Sequence, residues 1–252
     1  MRRLRLAQYS LTGCEGCAIS LIDAISSHPK LLNYIEIVSS RIIGYLGVED
    51  SDVALVDGAV VTKHDEELAR AVRRSADVLV AVGSCAHIGG LSTLKDALGS
   101  SHLKVYKKWP LKIEHIERPK ALSDIVSVDY FLPGCPPDPE DLANLLKLLI
   151  LGRRFRLPDK PLCYECRLFG TLECLLKRGE VCLGPIVISG CGARCPSLGA
   201  PCMGCRGLQD DADIPTFLRT ARELGLRVGD VLDAMLPFLN RYLRSIEVRR
   251  KV

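Results

Sequence analysis

Eight cysteines fall between Cys163 and Cys205, in a stretch otherwise rich in glycine and proline and poor in long apolar periodicity. Cysteine is a minor component of ordinary chains, and a segment of this length without hydrophobic patterning does not condense on apolar burial alone. Something held by sulfur must organise it. Four further cysteines, Cys14, Cys17, Cys85 and Cys135, are spread over the preceding part and bring the total to 12. Twelve is the arithmetic of three four-thiolate sites, with none left over.

Compartment decides whether such sulfurs pair with one another or bind something else. The opening Met1-Arg2-Arg3-Leu4-Arg5-Leu6 is basic, but Gln8 and Ser10 interrupt it and Cys14 follows too soon for the apolar core of a signal peptide. The Arg2-Arg3 pair is not followed by the long apolar stretch of a twin-arginine signal. The longest strongly apolar run, Leu145 to Leu151, contains Lys147 and is too short to span a bilayer. A cytoplasmic protein with no direct membrane span is expected. Disulfides are disfavoured there, so clustered cysteines point to metal or redox chemistry. Lys and Arg exceed Asp and Glu by only 34 to 30, which predicts no nucleic-acid partner. The C-terminal Arg241, Arg244, Arg249, Arg250 and Lys251 read as a solvated helix end, with contact to an acidic partner as the other use.

The first part alternates strand-like and helix-like segments. Strands are expected at Leu4–Leu11, Tyr34–Ser39, Asp52–Val56, Asp77–Val82 and Ile125–Leu132. Helices are expected at Ala18–Ser26, His64–Ser75, Leu91–Leu98 and Asp138–Leu151. The pattern implies an α/β domain over residues 1–157: an open parallel sheet covered on both faces. Residues 158–252 form the second expected domain, with an irregular cysteine-rich portion to Gly207. Two helices follow it, Ile214–Gly225 and Val228–Arg244.

On this layout Cys14 and Cys17 follow the first strand, Cys85 the Asp77–Val82 strand and Cys135 the Ile125–Leu132 strand. Segments just past the carboxyl ends of parallel strands meet at one edge, where ligands bind, so four thiols distant in sequence can converge. Gly13, Gly16, Gly83 and Gly134 flank them and let backbone approach a bulky core. Cys14-Glu-Gly-Cys17 alone also fits a thiol-redox motif, and four thiolates also fit structural zinc. The dense part reads Cys163-x2-Cys166-x7-Cys174-x7-Cys182 and Cys191-x3-Cys195-x6-Cys202-x2-Cys205. Each quartet has a single short Cys-x-x-Cys pair, unlike a zinc ribbon with two. Ligand count itself leaves iron–sulfur and zinc open.

The segments Leu11-Thr-Gly-Cys14-Glu-Gly-Cys17, Asp57-Gly58, Gly83-Ser-Cys85-Ala-His-Ile-Gly-Gly90 and Pro133-Gly-Cys135-Pro-Pro137 resemble the proximal-cluster motifs of nickel–iron hydrogenase small subunits. Cys174 to Pro185 and Pro201-Cys-Met-Gly-Cys205 resemble that family's distal and medial segments. The absence of a signal and the all-cysteine set look most like the cytoplasmic, multi-subunit branch of methyl-viologen-reducing, deazaflavin-reducing and sulfur-reducing enzymes. The resemblance implies a flavodoxin-like domain followed by an irregular iron–sulfur domain with C-terminal helices, holding three 4Fe–4S clusters. It implies that Cys14, Cys17, Cys85 and Cys135 hold a proximal cluster, Cys191, Cys195, Cys202 and Cys205 a medial one, and Cys163, Cys166, Cys174 and Cys182 a distal one. Spacing alone permits Cys182 and Cys191 to be exchanged. Cys163 stands where many relatives place His, and Cys195 supplies a fourth thiolate where many have a three-iron cluster.

The implied partners are a nickel–iron large subunit, where hydrogen is split, and a flavin or iron–sulfur acceptor subunit. No residue here is expected to be catalytic. Asp57 stands where many relatives carry Glu and reads either as a proton relay or as a turn aspartate after a strand. His87 reads as a donor to a cluster sulfide or as a surface histidine at a helix start. His28, His64, His102 and His115 have no clustered partners and are expected to be solvated. Two rivals remain: a quinone-linked subunit of the complex I type, which usually lacks the eight downstream cysteines, and a zinc-binding interaction protein.

Overall fold

The computed structural model describes residues 2–44, 47–97, 115–169 and 173–250, with side chains as far as residue 243. Two compact units divide the chain, Met1–Arg156 and Leu157–Val252.

In the first unit, β1 (Leu4–Ser10), β2 (Ile35–Ser40), β3 (Ser51–Asp57), β5 (Ala76–Val82) and β7 (Tyr130–Leu132) form a parallel sheet in the order β2-β1-β3-β5-β7. Counting only its own strands the order is 2-1-3-4-5, that of flavodoxin-like folds. Side chains alternate across each strand and both sets are apolar. Leu6, Val53, Leu55, Val80 and Val82 pack on one face with Leu21 and Ala24 of α1 (Gly16–Ser27). Leu142, Leu145 and Leu146 complete that layer from a later helix, Pro139–Ile150. Ala7, Tyr9, Ala54, Val56, Leu79 and Ala81 pack on the other face with Ala69 and Val72 of α2 (Lys63–Ser75). A helix on each face is what right-handed parallel crossovers produce.

Two expectations need correction, and one strand pair is new. The Ile125–Leu132 strand shrinks to β7: Leu122–Asp124 is a 3-10 turn, and Ile125, Val126 and Val128 cover the sheet face as loop residues. Asp129 pins that loop, its own N–H donating to Leu79 O (2.9 Å) and its carboxylate accepting from Leu79 N (2.8 Å) and Arg73 Nη1 (2.6 Å). An unexpected antiparallel pair joins β4 (Val60–Thr62) to β6 (His115–Lys120), which carries Pro119 and four charged or titratable residues and so shows no strand-like alternation. The Leu91–Leu98 segment, as far as Ala97, is a 3-10 turn (Gly90–Thr93) and a single helical turn, α4 (Leu94–Ala97), after α3 (Gly83–Ile88); residue 98 and His102 lie outside the described residues.

Numbering the Pro139–Ile150 helix α5, the second unit begins with α6 (Leu162–Leu168), a 3-10 turn (Leu175–Arg178) and α7 (Arg194–Ser197). Helices this short are not stable on their own. Asp213 caps α8 (Ile214–Glu223), accepting from Thr216 N at 3.0 Å. The last helix, α9 (Val228–Arg250), buries Val231, Met235, Leu239 and Leu243, a stripe repeating every fourth residue. No helix among the described residues is long and apolar enough to cross a membrane.

Candidate metal centres

Cys14 and Cys17 stand at the junction of β1 and α1, Cys85 lies in α3 directly after β5, and Cys135 follows β7. All four therefore occupy the carboxyl edge of the sheet, and β3, between β1 and β5, ends there on Asp57. The sulfurs feel one another. Burial first, then the charges of Asp57, Cys85, Cys135 and Cys14, push the Cys17 thiol far above its ordinary range. Burial, then Cys135 and Cys14, push Cys85 up to about 11. Thiols that raise one another in this way coexist as thiolates only around a positive core.

The backbone is shaped to the same sulfurs. Gly83 has φ +83°, and a Cβ there would overlap Cys17 Sγ; at Gly90, φ +49°, a Cβ would stand 2.7 Å from Cys85 Sγ. Only glycine allows main chain this close in that conformation.

In the second unit Cys163, Cys166, Cys174 and Cys182 line one cavity, whose remaining walls include Leu162, Leu175, Leu176, Pro185 and Pro196. Burial, then the neighbouring Cys182, Cys166 and Cys174, push Cys163 up to about 12. Cys182 lines the same cavity as the three cysteines before it. Cys202 is raised by burial first; the Gly204 N–H works against this, while Cys182, Cys205 and Cys191 add to it. Cys195 is exposed on α7. The two groups meet through main chain: Cys202 N–H donates to Cys182 Sγ (3.3 Å) and Leu183 N–H to Cys202 O (3.0 Å).

Among the described residues no three His, Cys, Asp or Glu side chains converge closely enough to hold a single metal ion. Tetrahedral zinc draws its sulfurs to about 2.3 Å, whereas a four-iron core is a larger body with thiolates at its corners. The donor set, the glycine approaches and the apolar lining fit such a core.

Asp57 is not a solvated turn residue. It is 3% exposed, and its Oδ2 accepts from Gln8 Nε2 (2.9 Å) and Ser10 Oγ (3.1 Å). Burial raises it to about 6, more than the Gln8 and Ser10 hydrogen bonds lower it. Ser10 Oγ also lies 2.8 Å from Glu15 Oε2, whose other oxygen is 3.7 Å from Arg41 Nη1. His87 is half-buried with its ring 4.9 Å from that of Phe131, so it packs against the fold rather than pointing into solvent. His64 and His115 are exposed. His28 is half-buried, 3.5 Å from Glu140.

Sequence reasoning missed the polar supports. Asp65 gathers Thr12 Oγ1, Val61 N and Thr62 N on one oxygen, tying the turn before Cys14 to the start of α2. The signal was present as Thr62-x-x-Asp65, a capping-box pattern. Glu165 and Arg206 in the second unit carry no comparable local signature.

Residues 14–149 match the family model described as NADH ubiquinone oxidoreductase, 20 Kd subunit. Sulfhydrogenase 2 subunit delta of Pyrococcus furiosus is 36% identical, over 88% of this chain and 93% of its own length. A vhu-type subunit of the F420-non-reducing hydrogenase of Methanocaldococcus jannaschii is 32% identical over 95% and 94%. Among solved structures, a NAD+-reducing [NiFe]-hydrogenase in the H2-reduced state aligns at TM-score 0.57 and 32% identity, over 62% of this chain and 96% of that one. A Ni-Fe-Se hydrogenase from Desulfomicrobium baculatum aligns at TM-score 0.54 over 86% of this chain, at 18% identity, which shows a common fold alone. The family model ends before the eight downstream cysteines, whereas the two hydrogenase relatives extend over nearly the whole chain. The chain therefore belongs to the NADH ubiquinone oxidoreductase 20 Kd subunit family, in its branch of nickel–iron hydrogenase small subunits.

Proposed function

We propose that this hydrogenase subunit is cytoplasmic and relays electrons through three 4Fe–4S clusters, between the nickel–iron site of a large-subunit partner and a flavin or iron–sulfur acceptor subunit. Cys14, Cys17, Cys85 and Cys135 would hold the proximal cluster, Cys191, Cys195, Cys202 and Cys205 the medial one, and Cys163, Cys166, Cys174 and Cys182 the distal one. When bound, each cluster supplies a one-electron station whose potential follows burial and hydrogen bonds to its sulfurs. The chain itself supplies thiolates, dry walls and main-chain donors such as Cys202 N–H on Cys182 Sγ. The observation that carries the reading is the convergence of cysteines from separate strand ends at one sheet edge, beside glycines that admit no side chain. Every cysteine is taken by a cluster, so nickel belongs to the partner. Exposed Ile19 (54%) and Ile22 (45%) on α1, next to the Cys14–Cys17 turn, are the apolar surface we assign to the large subunit.

Asp57 is the proton relay in this reading. The single Ser10 hydroxyl hydrogen cannot serve Asp57 and Glu15 together, so when Ser10 donates to Glu15, a protonated Asp57 donates to Ser10. A proton path then leads from the buried carboxyl to the half-exposed Glu15. The carboxyl should be neutral below about pH 6 and ionised above it. Infrared difference spectra are expected to show a carboxylic C=O band lost across that pH and missing in Asp57→Asn. A wild-type band that does not respond to pH removes Asp57 from the path.

Anaerobic co-purification with the native partners tests the whole reading. The expected result is brown material carrying about 12 iron atoms per chain, four per cluster, together with a nickel-containing subunit. Colourless preparations with zinc on the thiols would overturn it.

A further inference from the structure

We propose that Arg206 sets the potential of the medial site, its buried guanidinium favouring the extra negative charge of the reduced state. The proposal rests on the cluster reading above. Arg206 directly follows Cys205 and is 3% exposed, a burial that arginine almost never shows unless its charge is engaged. Its Nε donates to Ser189 O at 2.9 Å. The guanidinium also lies against Gly190, where φ is +111° and a Cβ would stand 3.1 Å from Cζ. Ser189 and Gly190 immediately precede Cys191. The same segment also holds the opposite charge: Glu165 accepts from Gly190 N–H (2.7 Å) and Ala193 N–H (3.3 Å).

The segment carrying Cys191 is thus held by two charged side chains of opposite sign. Burial is the largest influence on the Cys191 sulfur, and the Arg194 N–H partly offsets it. Arg206 then favours negative charge there while Glu165 opposes it. A neutral donor could bond Ser189 O equally well. What a guanidinium adds is a permanent charge in a low-dielectric place, where Coulomb interactions are strong. One-electron reduction adds one negative charge to the four thiolates and their core, with no proton required. A fixed positive charge beside them stabilises the reduced form more than the oxidised one and raises the potential.

The test uses the complete complex, with iron content measured first and the clusters then followed by potentiometric EPR. Wild-type complex without iron would defeat the cluster reading itself, independently of Arg206. In Arg206→Met with full iron, one couple is expected to move to lower potential. At a fixed potential its reduced-to-oxidised ratio should fall about tenfold, equivalent to about 59 mV for a one-electron couple. Arg206→Lys should recover most of the shift, and Glu165→Gln should move the same couple upward. Unchanged couples in Arg206→Met, or equal shifts in the Met and Lys variants, would overturn the proposal. Should Arg206→Met fail to assemble or lose iron, Glu165→Gln decides: an upward shift supports the charge argument and an unmoved couple defeats it.

Discussion

Alanine at position 83 is expected to empty the proximal site while leaving the sheet folded. Gly83 directly follows β5 and begins α3, with φ +83°. An L-residue in that conformation costs roughly 1–2 kcal/mol, which a domain with two apolar layers tolerates. The larger effect is local. The new methyl would overlap Cys17 Sγ, so the main chain just before Cys85 would have to separate from Cys17. Iron should fall by about a third, the share of one 4Fe–4S cluster in three. Hydrogen-dependent acceptor reduction should fall about 100-fold, the upper end for a changed metal surround. Circular dichroism should be unchanged. Gly152→Ala is the control: it has φ +64° in the same unit but nothing within 4 Å of the added methyl. It carries similar backbone strain and should keep full iron. Equal iron in both variants would show that the close approach at Gly83 has no bearing on the cluster.

The contrast between the two units explains what the sequence reveals. β5 is legible because a strand buried on both faces reads as a continuous apolar run, Val78 to Val82. The location of Cys14, Cys17, Cys85 and Cys135 follows from it, since strand order and crossover handedness bring their turns to one edge. β6 is illegible because Pro119 and its charges obey no period, and its pairing with β4 is decided by tertiary placement. Ile125, Val126 and Val128 mislead for the opposite reason: they are apolar to cover the sheet, while Asp129 fixes their loop. In the second unit the cysteines stand out because no other side chain replaces a thiolate. Gln8, Ser10, Glu165 and Arg206 do not stand out, because common polar residues gain a role only from what surrounds them after folding.

Asp65→Ala is expected to destabilise the first unit strongly although it removes no apolar contact from the core. Its side chain sits in the buried mouth of α2, where Oδ2 accepts from Thr12 Oγ1 (2.8 Å), Val61 N (3.0 Å) and Thr62 N (2.8 Å). Thr62 Oγ1 in turn accepts from Asp65 N at 3.1 Å and completes the capping box. Alanine removes the common acceptor and leaves two amides and a hydroxyl without it. Loss of a cap alone costs about 1 kcal/mol, and buried donors left unsatisfied cost about 1–3 kcal/mol. A total of about 3 kcal/mol is therefore expected, a fall of about 6–12 °C in Tm for a chain of this size. Asparagine keeps one acceptor oxygen without the charge and should lose about half as much. The consequence for function comes through Thr12, which the same carboxylate ties down two residues before Cys14 and which also pairs with Ala59 through two main-chain bonds. Those two bonds survive the substitution, so the turn should loosen rather than detach, and iron should leave the proximal site at lower temperature than the sheet unfolds. Thermal scans that follow cluster absorbance and circular dichroism together measure both transitions. Coincident transitions at the wild-type temperature would mean that Asp65 supports neither the helix start nor the cysteine turn.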